Sequence, residues 1–313
     1  MNGKQLQFLL STLLGEVLQE LKCCDPNKQS NLFAVYVNFD REGIIHEYVA
    51  GQVRELALAG YRVVFVTQSP KLRRGHEQIT PICTKFIHRR NINHDFGGYG
   101  FGLRLVKALS REPAAVVLMN DSCYGFFRPV TDLNRQVTEG HADLWGITES
   151  YEHAYHLQSY FLIISGRLFA SPCFWKYWSR FCLHTDRDHV IEKGEIGLTQ
   201  HVLASGFKVR SLVSYEDLVE YWLTVRCKNY GNSEKEIEFV TNLEHLLGCR
   251  LPVNPTHYFW DILLEQFNAP LLKRDLIRRN PVAIPGIQKF IALINKLGAD
   301  YSAIEDHLRY YKR

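Results

Sequence analysis

With 313 residues, 46% of them apolar and 22% charged, and a formal net charge of +4, the chain can bury a large core, and wholesale disorder is excluded. So slight a positive balance gives no case for nucleic acid as a partner, although Lys273, Arg274, Arg278, Arg279, Arg309, Lys312 and Arg313 gather beyond residue 272. Eight cysteines with no C-x-x-C pair and no histidines at zinc spacing read as reduced, buried thiols of a cytoplasmic protein, and no run of 18 apolar residues is present to span a membrane.

Leu6, Leu9, Leu10, Leu13, Leu14, Val17, Leu18 and Leu21 recur at helical spacing and predict an amphipathic helix over about residues 5 to 22, in an N-terminal segment of residues 1–30. An apolar strand follows (Leu32 to Val37), then a polar turn, a helix up to Gly60 and a second strand (Tyr61 to Val66) that ends in Thr67-Gln68-Ser69-Pro70. This is a β-α-β unit, and such units imply a mainly parallel sheet with ligands at the carboxyl ends of its strands. A short strand near Lys85 to His88 leads through Arg89 and a glycine-rich turn into a helix from about Gly100 to Leu109. Val116-Val117-Leu118-Met119 is an apolar run that stops abruptly at Asn120-Asp121-Ser122. Further strands are expected at Asp143 to Thr148 and Tyr160 to Ser165, a helix at Ser171 to Phe181, and a short helix after Gly194-Glu195 that closes at Gly206. Residues 31–230 thus read as one α/β domain, and residues 231–313 as a helical region punctuated by prolines.

Four features carry chemistry. A carboxylate at the end of a buried strand, Asp121, sits where a hard cation and its phosphates are expected, although Asn, Asp and Ser are also ordinary turn residues. Gly97, Gly98, Gly100 and Gly102 do not have dinucleotide-fingerprint spacing; they read as a turn whose backbone N–H groups meet phosphates, with Asp95 or Arg89 gripping the ligand, or as a plain tight turn. Glu195 is expected at a helix amino terminus, where its charge would complement the dipole if it has no catalytic duty. His257 falls in the first turn of a Pro-bounded helix, where a lone histidine is more often a hydrogen-bonded structural residue than a ligand.

Together these segments resemble the rhamnan synthesis protein F family of bacterial polysaccharide glycosyltransferases. The resemblance rests on the R-x-N-x-x-x-D-F-G-x-Y pattern from Arg89 to Tyr99, on Asn120 to Gly125, and on Trp145-Gly146-Ile147-Thr148 followed by His156 to Phe161. It continues through Glu195 to Thr199 and Asn254 to Trp260, with Lys273-Arg274 and Asn280-Pro281. It implies a GT-A-like nucleotide-sugar-binding fold and transfer of rhamnose or another deoxyhexose from a nucleotide-sugar donor, dTDP-rhamnose being one such donor. The acceptor would be a glycan or lipid-linked glycan of a cell-surface polysaccharide or O-antigen.

The implied roles follow from that chemistry. Asp121, with His257, would hold a divalent cation (Mg²⁺ or Mn²⁺) at the leaving diphosphate, and Glu195 would be the base of an inverting displacement. Asn38, Asp40, Thr67, Gln68, Ser69, Arg89, Asn91, Asp95, Asn120, Ser122, Lys273 and Arg274 would hold the nucleotide sugar, while Trp145, Gln158 and Ser159 would face the sugars. The strand end is Asn-Asp-Ser rather than a pair of acidic residues, and Ile196 follows Glu195 where many inverting GT-A enzymes carry a second acid. A non-catalytic carbohydrate-binding relative and a nucleotide-sugar-processing enzyme without glycan acceptor are the alternative classes. Ile287, Phe290, Ile291, Ile294 and Leu297 share one helical face ahead of the basic, aromatic terminus Arg309 to Arg313, which reads either as a peripheral contact with the inner face of the membrane or as a helix packed on the domain.

Overall fold

The computed structural model describes residues 16–133, 141–181, 187–230 and 233–311. The strands, in chain order, are β1 (Val17–Leu21), β2 (Leu32–Asn38), β3 (Arg62–Thr67), β4 (Cys83–Arg89), β5 (Ala115–Asn120), β6 (Cys123–Tyr124), β7 (Leu144–Ser150), β8 (His156–Leu157), β9 (Phe161–Ser165), β10 (Val209–Val213) and β11 (Leu272–Lys273). Among the described residues one large sheet runs β1-β4-β3-β2-β5-β9-β7-β10, with β8 paired to β7. β4, β3, β2 and β5 are mutually parallel and β10 is parallel to β7, whereas β1, β8 and β9 pair antiparallel with their neighbours. The molecule is therefore mixed α/β with a mostly parallel sheet.

Both faces of the sheet are covered, so its strands are apolar throughout and side-chain alternation decides which face each residue serves. Phe33, Val35 and Val37 of β2, with Val116 and Leu118 of β5, enter one buried cluster; Ala34, Tyr36, Val117 and Met119 enter the other. The first face is covered by α2 (His94–Leu109), α3 (Pro172–Arg180) and the helix 187–204, here α4; the second by α1 (Glu47–Leu58) and the helices beyond residue 214. The C-terminal third is tied to the sheet by a two-residue ribbon, in which Leu272 and Lys273 pair antiparallel with Tyr124 and Cys123.

Three expectations fail here. Residues 17–21 are an edge strand rather than helix, with Val17 opposite Arg89 and Leu21 opposite Phe86; residues 5–15 of the expected helix lie outside the described residues. The open backbone edge of β4 outweighs the leucine spacing, because its N–H and C=O groups need partners. The helix after β4 begins at His94, so the glycines lie inside α2 rather than in a turn before it. A Cβ on Gly98 would stand 2.7 Å from the Val37 side chain, and one on Gly102 would stand 2.3 Å from that of Val35. The glycines thus serve close approach of helix to strand rather than a phosphate cradle. Finally, Cys24 and Cys249 are exposed rather than buried.

The C-terminal tail is packed. Phe290, Leu293 and Ile294 join the core, Arg309 pairs with Glu305 at 2.7 Å, and Tyr311 of α5 (Ser302–Tyr311) donates its hydroxyl proton to Asp40 with the Arg278 guanidinium 4.1 Å from its ring centre. This removes the aromatic terminus from the membrane-contact reading; Lys312 and Arg313 lie outside the described residues. No described helix is long and apolar enough to cross a membrane.

The α2–β2 contact predicts opposite signs for one substitution type. Gly102→Ala is expected to destabilise by about 1–3 kcal/mol through overpacking. Gly51→Ala, in α1 with only the tip of the Arg54 side chain within 4 Å of the new Cβ, is expected to stabilise by up to about 1 kcal/mol through helix propensity. Urea denaturation of both variants checks this.

Candidate functional site

The carboxyl ends of β2, β3, β4, β5 and β7 open on one edge of the sheet, joined there by the residues that lead into β9. Continuing the alternation past each strand end predicts which way its polar residue turns. Asn120, in phase with Val116 and Leu118, faces α2 and donates to the Asp95 carboxylate at 2.9 Å. Asp121, one residue on, faces the opposite side. Its Oδ2 accepts from the Asn38 amide at 2.9 Å and the Phe39 backbone N–H at 3.2 Å, and stands 3.4 Å from the Arg274 guanidinium.

Two carboxylates are thereby brought to one strand end. Burial pushes Asp95 up to about 6, and the charge of Asp121 beside it adds to that. Two cations answer them, both delivered by the ribbon β6–β11. Arg274 donates through its backbone N–H to the Ser122 carbonyl at 2.9 Å and through its side chain to the Tyr48 hydroxyl at 2.6 Å. Burial disfavours its charge, but Tyr48 and Asp121 more than offset this and hold it firmly protonated. Lys273 donates to the Ser122 hydroxyl at 3.3 Å and lies 4.8 Å from the centre of the Tyr160 ring.

Tyr160 begins the second wall. Its hydroxyl meets Thr148 Oγ1 at 2.9 Å; Thr148 also donates to Gln158 Oε1 at 2.7 Å, and Gln158 donates to Asn254 Oδ1 at 3.3 Å. The Ser159 peptide is held at both ends, its N–H by Glu195 and its carbonyl by the Tyr99 hydroxyl at 2.9 Å. Glu195 is not at a helix amino terminus: it lies in a π-helical turn (Ile191–Ile196) that continues into the helix Gly197–Ala204. The dipole account of Glu195 fails with it. Gly194 permits this turn, since a Cβ there would meet the Phe96 ring at 2.8 Å.

The residues anticipated from sequence fall into two groups. Asn38, Asn120, Asp121, Ser122, Asp95, Lys273, Arg274, Gln158 and Ser159 are joined around the cleft by the bonds above. Thr67, Gln68, Ser69 and Asn91 lie on the same edge, Thr67 donating to Asn38 Oδ1 at 3.2 Å and Gln68 to Asn91 Oδ1 at 3.3 Å. Others serve the fold. Trp145 is 3% exposed in the core beneath the C-terminal helices, as its alternation within β7 requires. Arg89 is 2% exposed, paired with Glu16 at 2.7 Å and stacked over Phe101. Asp40 accepts the backbone N–H groups of Glu42 and Ile44 and the Tyr311 hydroxyl, so it fixes a turn and the C-terminal helix.

Asp121 and His257 are the expected cation ligands. His257 has its Nε2 buried without a hydrogen-bond partner, and burial followed by the charge of Lys273 holds it down at about 4, so the ring is neutral near pH 7. Among the described residues no three His, Cys, Asp or Glu side chains converge as a metal site. Asp95 and Asp121 are the two carboxylates of this strand end, and Mg²⁺ commonly takes one or two carboxylates and completes its shell with phosphate oxygens and water. Thr148, Tyr160 and Asn254 were not anticipated as site residues, although the Asn-Pro turn at 254–255 and the Thr at the end of an apolar strand were visible signals.

The family model described as rhamnan synthesis protein F matches residues 63–234. "Uncharacterized protein y4gN" of Sinorhizobium fredii is 28% identical over 273 residues, covering 79% of this chain and 71% of that one. "Virulence protein VirA" of Vibrio anguillarum is 29% identical over 240 residues, covering 72% and 74% respectively. Among solved structures, a cytidylyltransferase from Leptospira borgpetersenii matches 71% of this chain and 97% of its own at 12% identity and a TM-score of 0.34.

Asp40 gives a pH signature. Burial raises its pKa, but hydrogen bonds from His46, Tyr311 and Ile44 more than offset this and hold it well below the usual carboxylate range. A carboxyl depressed on folding contributes stability that is present above its unfolded value, about 3.9, and lost as pH falls toward the folded one. Asp40→Asn is expected to cost about 1–3 kcal/mol at neutral pH. In denaturant titrations the gap from wild type should narrow below about pH 4.

Proposed function

We infer that this chain, which belongs to the rhamnan synthesis protein F family, is a transferase of polysaccharide synthesis that moves a sugar from a nucleotide-sugar donor to a glycan acceptor on a GT-A-like sheet. The observation that carries this reading is the strand end Asp121-Ser122, where Arg274 stands 3.4 Å from the Asp121 carboxylate and Lys273 donates to the Ser122 hydroxyl, at the edge where α/β sheets take nucleotides. Rhamnose or another deoxyhexose is the sugar the family name suggests, with dTDP-rhamnose as the donor to test first.

In such a transfer the bond from the anomeric carbon to the diphosphate breaks as the bond to the acceptor oxygen forms, and negative charge moves onto the leaving phosphate. Lys273 is half-buried, has only one hydroxyl partner at 3.3 Å, and is placed to meet that charge. Neutral His257, whose buried Nε2 lacks a partner, has the capacity to donate one hydrogen bond to a phosphate oxygen. Asn38 and the Phe39 N–H orient Asp121, while Asn120 orients Asp95. Asp121 and Asp95 would hold a divalent cation, which would supply Lewis-acid stabilisation of the same diphosphate. Across the cleft Gln158, Asn254 and Thr148 offer amide and hydroxyl groups suited to sugar hydroxyls, and the carboxylates Glu195 and Glu152 stand on that side to receive the acceptor's proton. Inversion by a single displacement follows if a β-linked donor gives an α-linked product. A lipid-linked acceptor would be met without the C-terminal tail, which is occupied by Asp40.

Transfer assays with a panel of nucleotide sugars and rhamnose-terminated oligosaccharides test the reading. Lys273→Met is expected to weaken donor binding about 10- to 100-fold, the loss of one charge-assisted contact of about 1.5–3 kcal/mol. Calorimetry with dTDP-rhamnose measures it, and an unchanged affinity would take Lys273 out of the diphosphate site.

A further inference from the structure

The hairpin joining β7 to β8 carries a carboxylate that no motif singled out. Glu152 sits at its tip, where its N–H donates to the Ser150 hydroxyl at 3.2 Å and its carbonyl accepts from Ala154 at 2.8 Å. The hairpin is pinned from both sides: Leu157 donates to Thr199 Oγ1 at 3.1 Å, Gln200 donates to the Tyr155 carbonyl at 2.6 Å, and Tyr155 donates to Glu149 at 3.1 Å. Glu152 is therefore held on a framed element.

Its partner across the cleft is Asn254. The Oδ1 of Asn254 is taken by Gln158 at 3.3 Å and by the Thr256 N–H and hydroxyl at 3.2 and 2.7 Å, which leaves its amide N–H groups to donate to Glu152. Glu152 and Gln158 are thus fixed by one side chain, and Glu195 holds the residue after Gln158. The other acidic side chains of this wall are more fully engaged. Glu149 accepts from Tyr155, Ser211 and the Tyr215 N–H, and Glu195 accepts the Ser159 backbone N–H and so is committed to holding that segment. Beside Glu152, Tyr151 is 39% exposed and braced by Tyr155 and Tyr215, with ring centres at 5.3 and 5.5 Å. An open aromatic face next to a carboxylate and amides is a surface that suits a pyranose, apolar on one side and hydroxylated at its rim.

We propose that Glu152 is the proton acceptor for the attacking hydroxyl of the glycan acceptor, with Tyr151 as the face on which the acceptor sugar rests and Glu195 as the residue that positions the Gln158–Ser159 segment. This rests on the glycosyl-transfer reading above. The hydroxyl proton passes to the Glu152 carboxylate, the freed oxygen pair forms the bond to the anomeric carbon, and the pair of the breaking bond leaves on the diphosphate; no oxidant or further reactant is needed. Burial raises the Glu152 carboxyl above the usual glutamate range, with His156, Asn254 and His153 pulling it back and Glu195 pushing it up. The tyrosines Tyr215 and Tyr258 also face it. A base that titrates closer to neutrality is the better proton acceptor there.

The test compares Glu152→Gln, Glu195→Gln and Tyr151→Ala in the full-length protein, with dTDP-rhamnose and a rhamnose-terminated oligosaccharide, after melting curves confirm folding. Glu152→Gln is expected to bind dTDP as wild type does, to lose about 10²- to 10⁴-fold in turnover, and to abolish the acidic limb of the pH–rate profile. Because the base works deprotonated, wild-type rate should fall as pH drops through a value above the ordinary glutamate range. Glu195→Gln should retain that limb, and Tyr151→Ala should raise KM for the oligosaccharide more than it lowers kcat. An unimpaired Glu152→Gln, or a limb that disappears with Glu195→Gln instead, overturns the assignment while leaving glycosyl transfer in place. No transfer by wild type with any donor overturns both.

Discussion

Asp121 is a buried carboxylate at the end of a strand that otherwise holds only apolar side chains and one amide, and Arg274 is the cation that stands against it there. An uncompensated ion in such a place costs several kcal/mol, so removing either partner would leave the other stranded. The compensation comes from 153 positions along the chain, by way of a two-residue ribbon that sets Lys273 and Arg274 beside Asp121. The sheet and the C-terminal third are therefore coupled at the point where the chemistry is proposed. A helical region completing the site is a better description than a separate appendage, because the cleft's cations belong to one and its carboxylates to the other.

How far this was legible in the sequence varies with the kind of signal. The parallel strands could be read from short apolar runs that turn polar at one end, since both faces are covered and only the exit to the cleft demands polarity. Asn38, Thr67, Asn120 and Asp121 were found that way. Residues 17–21 were misread because leucines spaced for a helix carry no information about an open strand edge elsewhere that needs a partner. The glycines of α2 were misread because close packing and anion binding both ask for a missing Cβ, and only the neighbours, Val35 and Val37, tell them apart. Trp145 and Arg89 looked functional by residue type, yet period-two alternation and a pairing with Glu16 direct them into the structure. Glu152 left no sequence trace, since a carboxylate in a turn is ordinary until Asn254, a hundred residues away, is seen to hold it.

The two walls of the cleft differ in electrostatic character, and the difference suits a displacement at carbon. On the β2–β5 side Arg274 and Lys273 are held beside the acidic groups by fixed hydrogen bonds, so a diphosphate proposed to bind there would meet cations and a hydrogen-bond frame that need not reorganise. On the β7–β8 side the partners are neutral amides and hydroxyls with carboxylates among them, an environment that stabilises sugar hydroxyls and draws off a proton without repelling a neutral acceptor. The walls meet at Tyr160, which faces Lys273 with its ring and Thr148 with its hydroxyl. A sugar in transit between donor and acceptor would cross that residue.

The C-terminal helix closes the arrangement from the far side. Tyr311 reaches the Asp40 carboxylate, and His307 Nδ1 shares a 2.7 Å hydrogen bond with the Tyr124 hydroxyl, its ring kept neutral by burial and by His46, which hold its pKa down at about 2. Tyr124 is the β6 residue that pairs with Leu272, so the tail braces the same ribbon that delivers Arg274. Asp40 follows directly on Asn38 and Phe39, the groups that orient Asp121. The last helix thus supports both arms of the Asp121–Arg274 pair at once. The aromatic end of that helix, which the sequence leaves open to a surface contact or to packing on the domain, packs in the folded chain through Tyr311 on Asp40, two residues from the amide that orients Asp121.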